Sequence, residues 1–249
     1  MSILNYNFRF LKSKFARLLR RYPVIRMPSP RALATVFLPL FTLACNAAPN
    51  GPVPPPKDDA PLASSPGKRT AVFAGGCFWG VQAVFERVKG VLQTAAGYAG
   101  GTAETATYEQ VITETTGHAE SVQVVFDPSR ITYGQLLRVF FSVAHDPTQL
   151  NRQGPDFGTS YRSAIFYTDD AQRRIAAAYI AQLDAAKIFP SRIVTEVTPL
   201  KRFYRAEDYH QDYALKYPNN PYIEVCDRPK IAALEKEFPD LFVNYKGKK

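Results

Sequence analysis

Cys77 has the surroundings that most directly suggest chemistry. It stands in Gly75-Gly76-Cys77-Phe78-Trp79-Gly80, after an apolar run and at the start of a helical pattern. A helix N-terminus presents unpaired N–H groups and the positive end of the helix dipole. A thiolate is favoured there, so the thiol pKa falls and its reactivity rises. Phe78 and Trp79, the only tryptophan of the chain, put two large aromatic rings beside the sulfur. That combination suits a small apolar substrate with one reducible or electrophilic atom. Two rival readings use the same residues. Cys77 and a histidine such as His210 would make the nucleophile–base pair of an exported cysteine hydrolase. Cys77 as a buried core residue, with the aromatics as packing, would make a non-catalytic binding module. The first rival predicts an acyl-enzyme and indifference to reductant. The second predicts that Cys77→Ser keeps all function. No metal-ligand spacing is present.

The elements that must hold Cys77 follow from periodicity. Thr70–Ala74 reads as a buried strand running into the two glycines, and a helix from about Cys77 carries Trp79, Val81, Val84 and Phe85 toward Gly90. Val91–Tyr98 reads as a strand, and Ser121–Asp127 alternates as a second. Thr132 is placed to cap a helix through Leu136, Leu137, Phe140 and Phe141. Tyr161–Tyr167 and Ile193–Val197 read as strands. Between them Asp169-Asp170 opens a helix with Ile175, Tyr179 and Leu183 on one face. Ala206–Tyr217 is a weaker helix, and Lys230–Phe238 a short one after Pro229. Strands and helices alternate without a repeating βαβ spacing or a phosphate-loop glycine pattern, which favours α+β over a doubly wound sheet.

Length and charge frame this region. The chain has 249 residues, a net charge of +9 and three cysteines. Eight of the basic residues lie in the first 31 positions with no acid among them, so the remainder is close to neutral. Nucleic-acid binding therefore has no support in the charge. The basic start leads into the apolar run Ala32–Ala44 and small residues, the layout of an export signal over 1–47. Cleavage after Ala47 gives simple export, whereas Leu43-Ala44-Cys45 suggests lipidation of Cys45 and a membrane tether; Met27 offers a more compact start. Residues 48–68 hold seven prolines and few large apolar residues, and read as an extended or disordered linker. The globular domain is then 69–249.

Gly76-Cys77-Phe78-Trp79-Gly80 resembles the signature of the peptide-methionine (S)-S-oxide reductases, the MsrA family. The similarity continues in order. It runs through Thr94–Gly101, Thr116-Gly117-His118-Ala119-Glu120, His145-Asp146-Pro147, Arg152-Gln153-Gly154 and Asp156. It ends with Gly158-Thr159, Tyr161-Arg162-Ser163, Phe203-Tyr204, Ala206-Glu207-Asp208 and His210-Gln211. The resemblance implies a single α+β domain, a two-layer sandwich with a mixed or antiparallel sheet, flanking helices and a ferredoxin-like core. It implies reduction of the S epimer of methionine sulfoxide, free or in oxidised proteins, by a monomer without metal or organic cofactor.

Carried onto this chain, the resemblance makes Cys77 the nucleophile that attacks the sulfoxide sulfur and becomes a sulfenic acid. Glu120 is the acid that protonates the departing oxygen, a role for which burial beside a thiolate would raise its pKa. Tyr108 and Tyr161 hydrogen-bond that oxygen. Phe78 and Trp79 cage the S-methyl group, and Asp156 holds the substrate amide. His118, His145 and His210 are read as structural. The resemblance also implies turnover by a thioredoxin-like dithiol, often through a resolving cysteine. Cys226 is placed for that role only by elimination, because its segment Pro221–Lys230 lacks the glycines of the family's cysteine-bearing tails. Gln82 replaces the Glu of many members.

Overall fold

The computed structural model describes residues 51–247; the leader expected over 1–47 lies outside the described residues. Six strands form the main sheet in the order β7-β6-β1-β3-β2-β8. They are β1 (Arg69–Gly75), β2 (Val91–Ala99), β3 (Ala119–Phe126), β6 (Ser163–Tyr167), β7 (Glu196–Pro199) and β8 (Phe203–Arg205). A two-stranded hairpin, β4 (Arg152–Gln153) with β5 (Asp156–Phe157), stands apart. All neighbours in the main sheet are antiparallel except β6 and β7. The central order β6-β1-β3-β2, with helices joining β1 to β2 and β3 to β6, is the connectivity of a ferredoxin-like core. This fits the α+β expectation.

Six α-helices accompany the sheet among the described residues. They are α1 (Phe78–Phe85), α2 (Tyr108–Val111), α3 (Tyr133–Val139), α4 (Asp170–Ala185), α5 (Tyr213–Lys216) and α6 (Arg228–Glu237). Thr132 and Gln135 close a capping box on α3, and Asp169 caps α4 by accepting Gln172 N–H. Strand alternation sorts the core. Phe73 of β1 stacks on Phe85 of α1 at 5.1 Å and on Phe140 at 5.0 Å. Its neighbours Val72 and Ala74 face the other way, with Ala164 and Phe166, against Leu200 and Phe203.

Several boundaries differ from the sequence reading. Tyr161 ends a 3-10 turn (Thr159–Tyr161) rather than opening β6. The strand expected over Ile193–Val197 runs instead over Glu196–Pro199, and Ile193 N–H is taken by the Asp184 carboxylate. The helix expected over Ala206–Tyr217 is broken. A 3-10 turn (Asp208–His210) gives way to extended Gln211 and to Asp212 at φ +53° before α5 begins. The Gln211 amide is spent on Ala96, bonding both its N–H and its carbonyl, as a third partner of β2.

Of the two readings of the linker, residues 51–67 follow the extended one. Residues 51–67 form an ordered, extended strap docked on α3 and α4. Val53 is buried and its N–H donates to Ser142 Oγ at 3.1 Å. Pro54 O accepts the Tyr179 hydroxyl, Pro55 O accepts Gln182, and Val53 O accepts Arg138. Asp59 binds the Thr132 hydroxyl and Gly134 N–H at the start of α3. Proline lacks a donor but keeps its carbonyl, and its fixed φ pre-extends the chain. A proline-rich strap can therefore dock through acceptors at low entropic cost.

Candidate active site

The turn between β1 and α1 positions Cys77. Gly76 turns the chain at φ +86°, and a Cβ there would drive into the Gln153 side chain of the β4–β5 hairpin. Cys77 is the residue preceding the first turn of α1 and is buried. The carboxyl group of Glu120 reaches the same helix end from β3, where it pairs with Tyr98 of β2. It is 2% exposed, and its Oε2 accepts Phe78 N–H at 3.0 Å. The nucleophile and the acid expected from the sequence thus share one helix N-terminus.

Aromatic rings wall the site. Trp79 stacks on Tyr213 at 3.8 Å and 7°, and meets Tyr222 edge-on at 5.9 Å. Phe78 lies 4.9 Å from the His210 ring and 5.9 Å from Tyr98. The indole N–H of Trp79 donates to His210 Nδ1 at 3.2 Å, which fixes the ring plane. Tyr108 opens α2 with its ring 4.7 Å from His210, and its N–H donates to Glu207 Oε1 at 3.0 Å. The second Glu207 oxygen accepts the Tyr98 hydroxyl at 2.9 Å. Burial, with Glu207 and Glu120 nearby, pushes that phenol far above its ordinary pKa, so it stays a donor.

On the opposite side Asp156 of β5 accepts the Tyr222 hydroxyl. Tyr222 is half-buried, and its pKa is raised by desolvation first and then by Cys77, Asp156 and Asp227. Tyr161 is buried at the end of its 3-10 turn. Cys226 is buried in the π-turn Ile223–Asp227, which packs against α1. Its neighbour Asp227 forms a buried ion pair with Lys230 at 3.2 Å. Gln82 serves the fold: it meets Thr94 and Gln211 at 3.4 Å and accepts Asp212 N–H at 3.1 Å.

The three histidines act as struts. His118 accepts Gly101 N–H at Nδ1 and donates to Thr102 O from Nε2. His145 bonds Phe140 O and Ser163 Oγ, and burial lowers its pKa to about 3, so it is neutral. His210 Nδ1 is held by Trp79, while Nε2 faces Glu207 at 3.9 Å. These engagements leave the hydrolase pairing of Cys77 with His210 without support. Among the described residues, no group of three or more His, Cys, Asp or Glu could hold a metal ion.

Sequence reasoning missed Glu207 as the hub that holds Tyr108 and Tyr98, and Tyr222 as the partner of Asp156. The signal for Glu207 was its place in Ala206-Glu207-Asp208, a fragment used only to support the resemblance. Nothing local marked Tyr222, whose role depends on a contact with the β4–β5 hairpin.

Comparison with known proteins gives one answer. The family model for peptide methionine sulfoxide reductase matches residues 69–241. A peptide methionine sulfoxide reductase MsrA 2 of Mesorhizobium japonicum is 58% identical over 179 residues, covering 72% of this chain and 92% of that protein. Its counterpart in Synechocystis is 51% identical, covering 70% and 81%. Among solved structures, methionine sulfoxide reductase A of Corynebacterium diphtheriae is 38% identical with a TM-score of 0.55, covering 68% of this chain and 87% of that one. Reduced Mxr1 of Saccharomyces cerevisiae is 32% identical with a TM-score of 0.57, covering 66% and 92%.

Proposed function

The chain belongs to the peptide methionine sulfoxide reductase family and reduces methionine sulfoxide to methionine, and from that premise we propose that Cys77 is its nucleophile and the S epimer its substrate. The observation that carries this is the helix end shared by Cys77 and Glu120. One helix N-terminus stabilises one anion well. Beside a Cys77 thiolate a second charge in this buried site is disfavoured, which suits Glu120 to the role of proton donor.

The thiolate attacks the sulfoxide sulfur. As the S–O bond breaks, Glu120 protonates the oxygen, while the Tyr108 and Tyr161 hydroxyls donate to its growing charge. The protonated oxygen bonds to the Cys77 sulfur as the S–S bond made in the attack breaks, its electron pair leaving with methionine, so Cys77 ends as a sulfenic acid. Methionine sulfur gains two electrons and Cys77 loses two. Phe78 and Trp79 hold the S-methyl group, and Asp156, oriented by Tyr222, receives the substrate amide. Two thiols of a thioredoxin-like dithiol then return Cys77 to the thiol, releasing water and a disulfide. Cys226 passes on that oxidation as resolving cysteine if the sulfenic acid can reach it; otherwise the dithiol acts on Cys77 directly.

The basic and apolar leader supports export, to the periplasm or to a membrane tether through Cys45, and the family resemblance is the ground for proposing a monomer. The mass of the mature N-terminus and cell fractionation test that location, and gel filtration tests the monomer. For the reaction, purified protein is given a peptide carrying both sulfoxide epimers and dithiothreitol. Loss of the S epimer alone, by wild type and by Cys226→Ser, supports the reading. Thioredoxin in place of dithiothreitol decides the role of Cys226: equal rates remove it as resolving cysteine. Loss of the R epimer, or turnover by Cys77→Ala, overturns the proposed chemistry.

A further inference from the structure

Glu114 sits midway between Tyr108 and Glu120 in the loop joining α2 to β3, and takes no part in the chemistry above. Its backbone is left-handed at φ +66°, a conformation that costs a non-glycine residue about 1 kcal/mol or more. Its carboxylate crosses to the 3-10 turn that ends in Tyr161. Oε2 accepts Ser160 N–H at 2.8 Å and the Thr159 hydroxyl at 3.2 Å, while Oε1 accepts the Ser160 hydroxyl at 2.7 Å. Gly158, at φ +135°, makes room for it: a Cβ there would collide with the carboxylate. Arg162 adds a second tie between the same loops, donating to Gly117 O at 3.0 Å and Thr159 O at 2.9 Å.

We propose that Glu114 is a positioning residue for the oxygen-binding end of the site, clamping the loop before Glu120 onto the turn that carries Tyr161. A bidentate charged acceptor spanning two neighbouring residues fixes orientation as well as distance. Tyr161 directly follows Ser160, so the clamp sets where its hydroxyl meets the sulfoxide oxygen. The role rests on the proposed part of Tyr161 in the reaction. A side chain retained at a strained φ, with each oxygen spent on one turn, is how a site stores geometry rather than stability.

Glu114→Gly removes the clamp and relieves the backbone together, which separates positioning from folding. The test is single-turnover sulfenic acid formation, with thermal melting alongside, in Glu114→Gly, Glu114→Gln, Tyr161→Phe and the Glu114→Gly/Tyr161→Phe double variant. Glu114→Gly is expected to melt near wild type yet form sulfenic acid about tenfold more slowly, since small misplacements in a reacting site cost that much or more. Glu114→Gln, which keeps an acceptor for Ser160 N–H, recovers most of the rate. With Tyr161→Phe already present, Glu114→Gly adds less than about twofold, because coupled residues are not additive. A wild-type rate in Glu114→Gly, or the full tenfold loss repeated in the Tyr161→Phe background, overturns the clamp. Tyr161→Phe at the wild-type rate removes Tyr161 from the reaction, a failure of the proposed mechanism that takes this role with it. If Glu114→Gly does not fold, Ser160→Ala deletes one bond of the clamp without touching residue 114. Its coupling to Tyr161→Phe supports the role, and its additivity overturns it.

Discussion

Helix α1 has a buried carboxyl group at each end, and the two differ in what they can do. At the N-terminus Glu120 accepts Phe78 N–H beside Cys77. At the C-terminus Glu86 lies among Thr94, Arg87 and Asp212, and its pKa is pushed up to about 9, mainly by burial and then by Asp212. The negative end of a helix repels a carboxylate, and Asp212 repels it again, so Glu86 keeps its proton. Tyr245 donates to the other side of Asp212 at 3.3 Å and ties the C-terminal segment to this cluster. A raised pKa, used alone as a marker of function, would select the wrong end of α1. The proposed chemistry uses the end where the helix dipole favours an anion and where that anion would be a nucleophile.

The largest expected effect is at the N-terminal end. Cys77→Ala should abolish reduction of the S epimer, checked by chiral chromatography of the peptide. Measurable turnover would move the nucleophile elsewhere. Glu120→Gln keeps the size of the side chain and an acceptor for Phe78 N–H but has no proton to give. It should slow sulfenic acid formation by about 10²-fold, the usual contribution of a general acid. On the proposed mechanism it also removes an alkaline fall in the rate of this step. An unchanged alkaline limb would assign that limb, and the acid, to another group.

Glu86→Gln sharpens the contrast. Sulfenic acid formation should stay within about twofold of wild type, because the two ends of α1 do not share partners. Stability should respond instead. Glu86 binds its proton more tightly in the folded state, about 9 against an ordinary 4.5, so its contribution is complete below about 4.5 and lost as pH rises to about 9. The steepest loss one proton can give is about 1.4 kcal/mol per pH unit. Glutamine stays neutral, so urea denaturation should show Glu86→Gln gaining on wild type steadily from pH 6 to pH 8.5. Parallel curves would mean that Glu86 does not hold the proton.

At the N-terminal end the turn that holds Cys77 was legible because its parts are local, whereas Glu120 came only through the family resemblance. Two glycines, a cysteine and a helix pattern in one run define the turn. Thr132 and Asp169 likewise announce their helices by side chains that act within three residues. What was not legible acts across the fold. Glu207 holds Tyr98 and Tyr108, both about a hundred positions away along the chain. Gln211 leaves its expected helix to serve β2, a partner that its own neighbours do not reveal. The docking of the strap was not legible because composition counts apolar side chains, whereas docking there uses proline carbonyls as acceptors for Tyr179 and Gln182.

The strap supplies the smallest effect and a control for both ends of α1. Val53 is buried under Ser142 and Arg138, remote in sequence from Cys77 and Glu86, and has nothing to titrate. Val53→Ala removes two methyl groups' worth of burial while leaving the backbone bonds of the strap in place. It should cost about 1–2 kcal/mol in urea denaturation, the transfer of those carbons plus a small cavity. That cost should be the same at pH 6 and pH 8.5, with sulfenic acid formation unchanged. A constant offset here, beside a growing one in Glu86→Gln, ties the pH slope to the C-terminal carboxyl of α1 rather than to any loosening of the domain. A Val53→Ala offset that grew with pH would break that assignment, because it would show the strap and the Glu86 cluster opening as one unit.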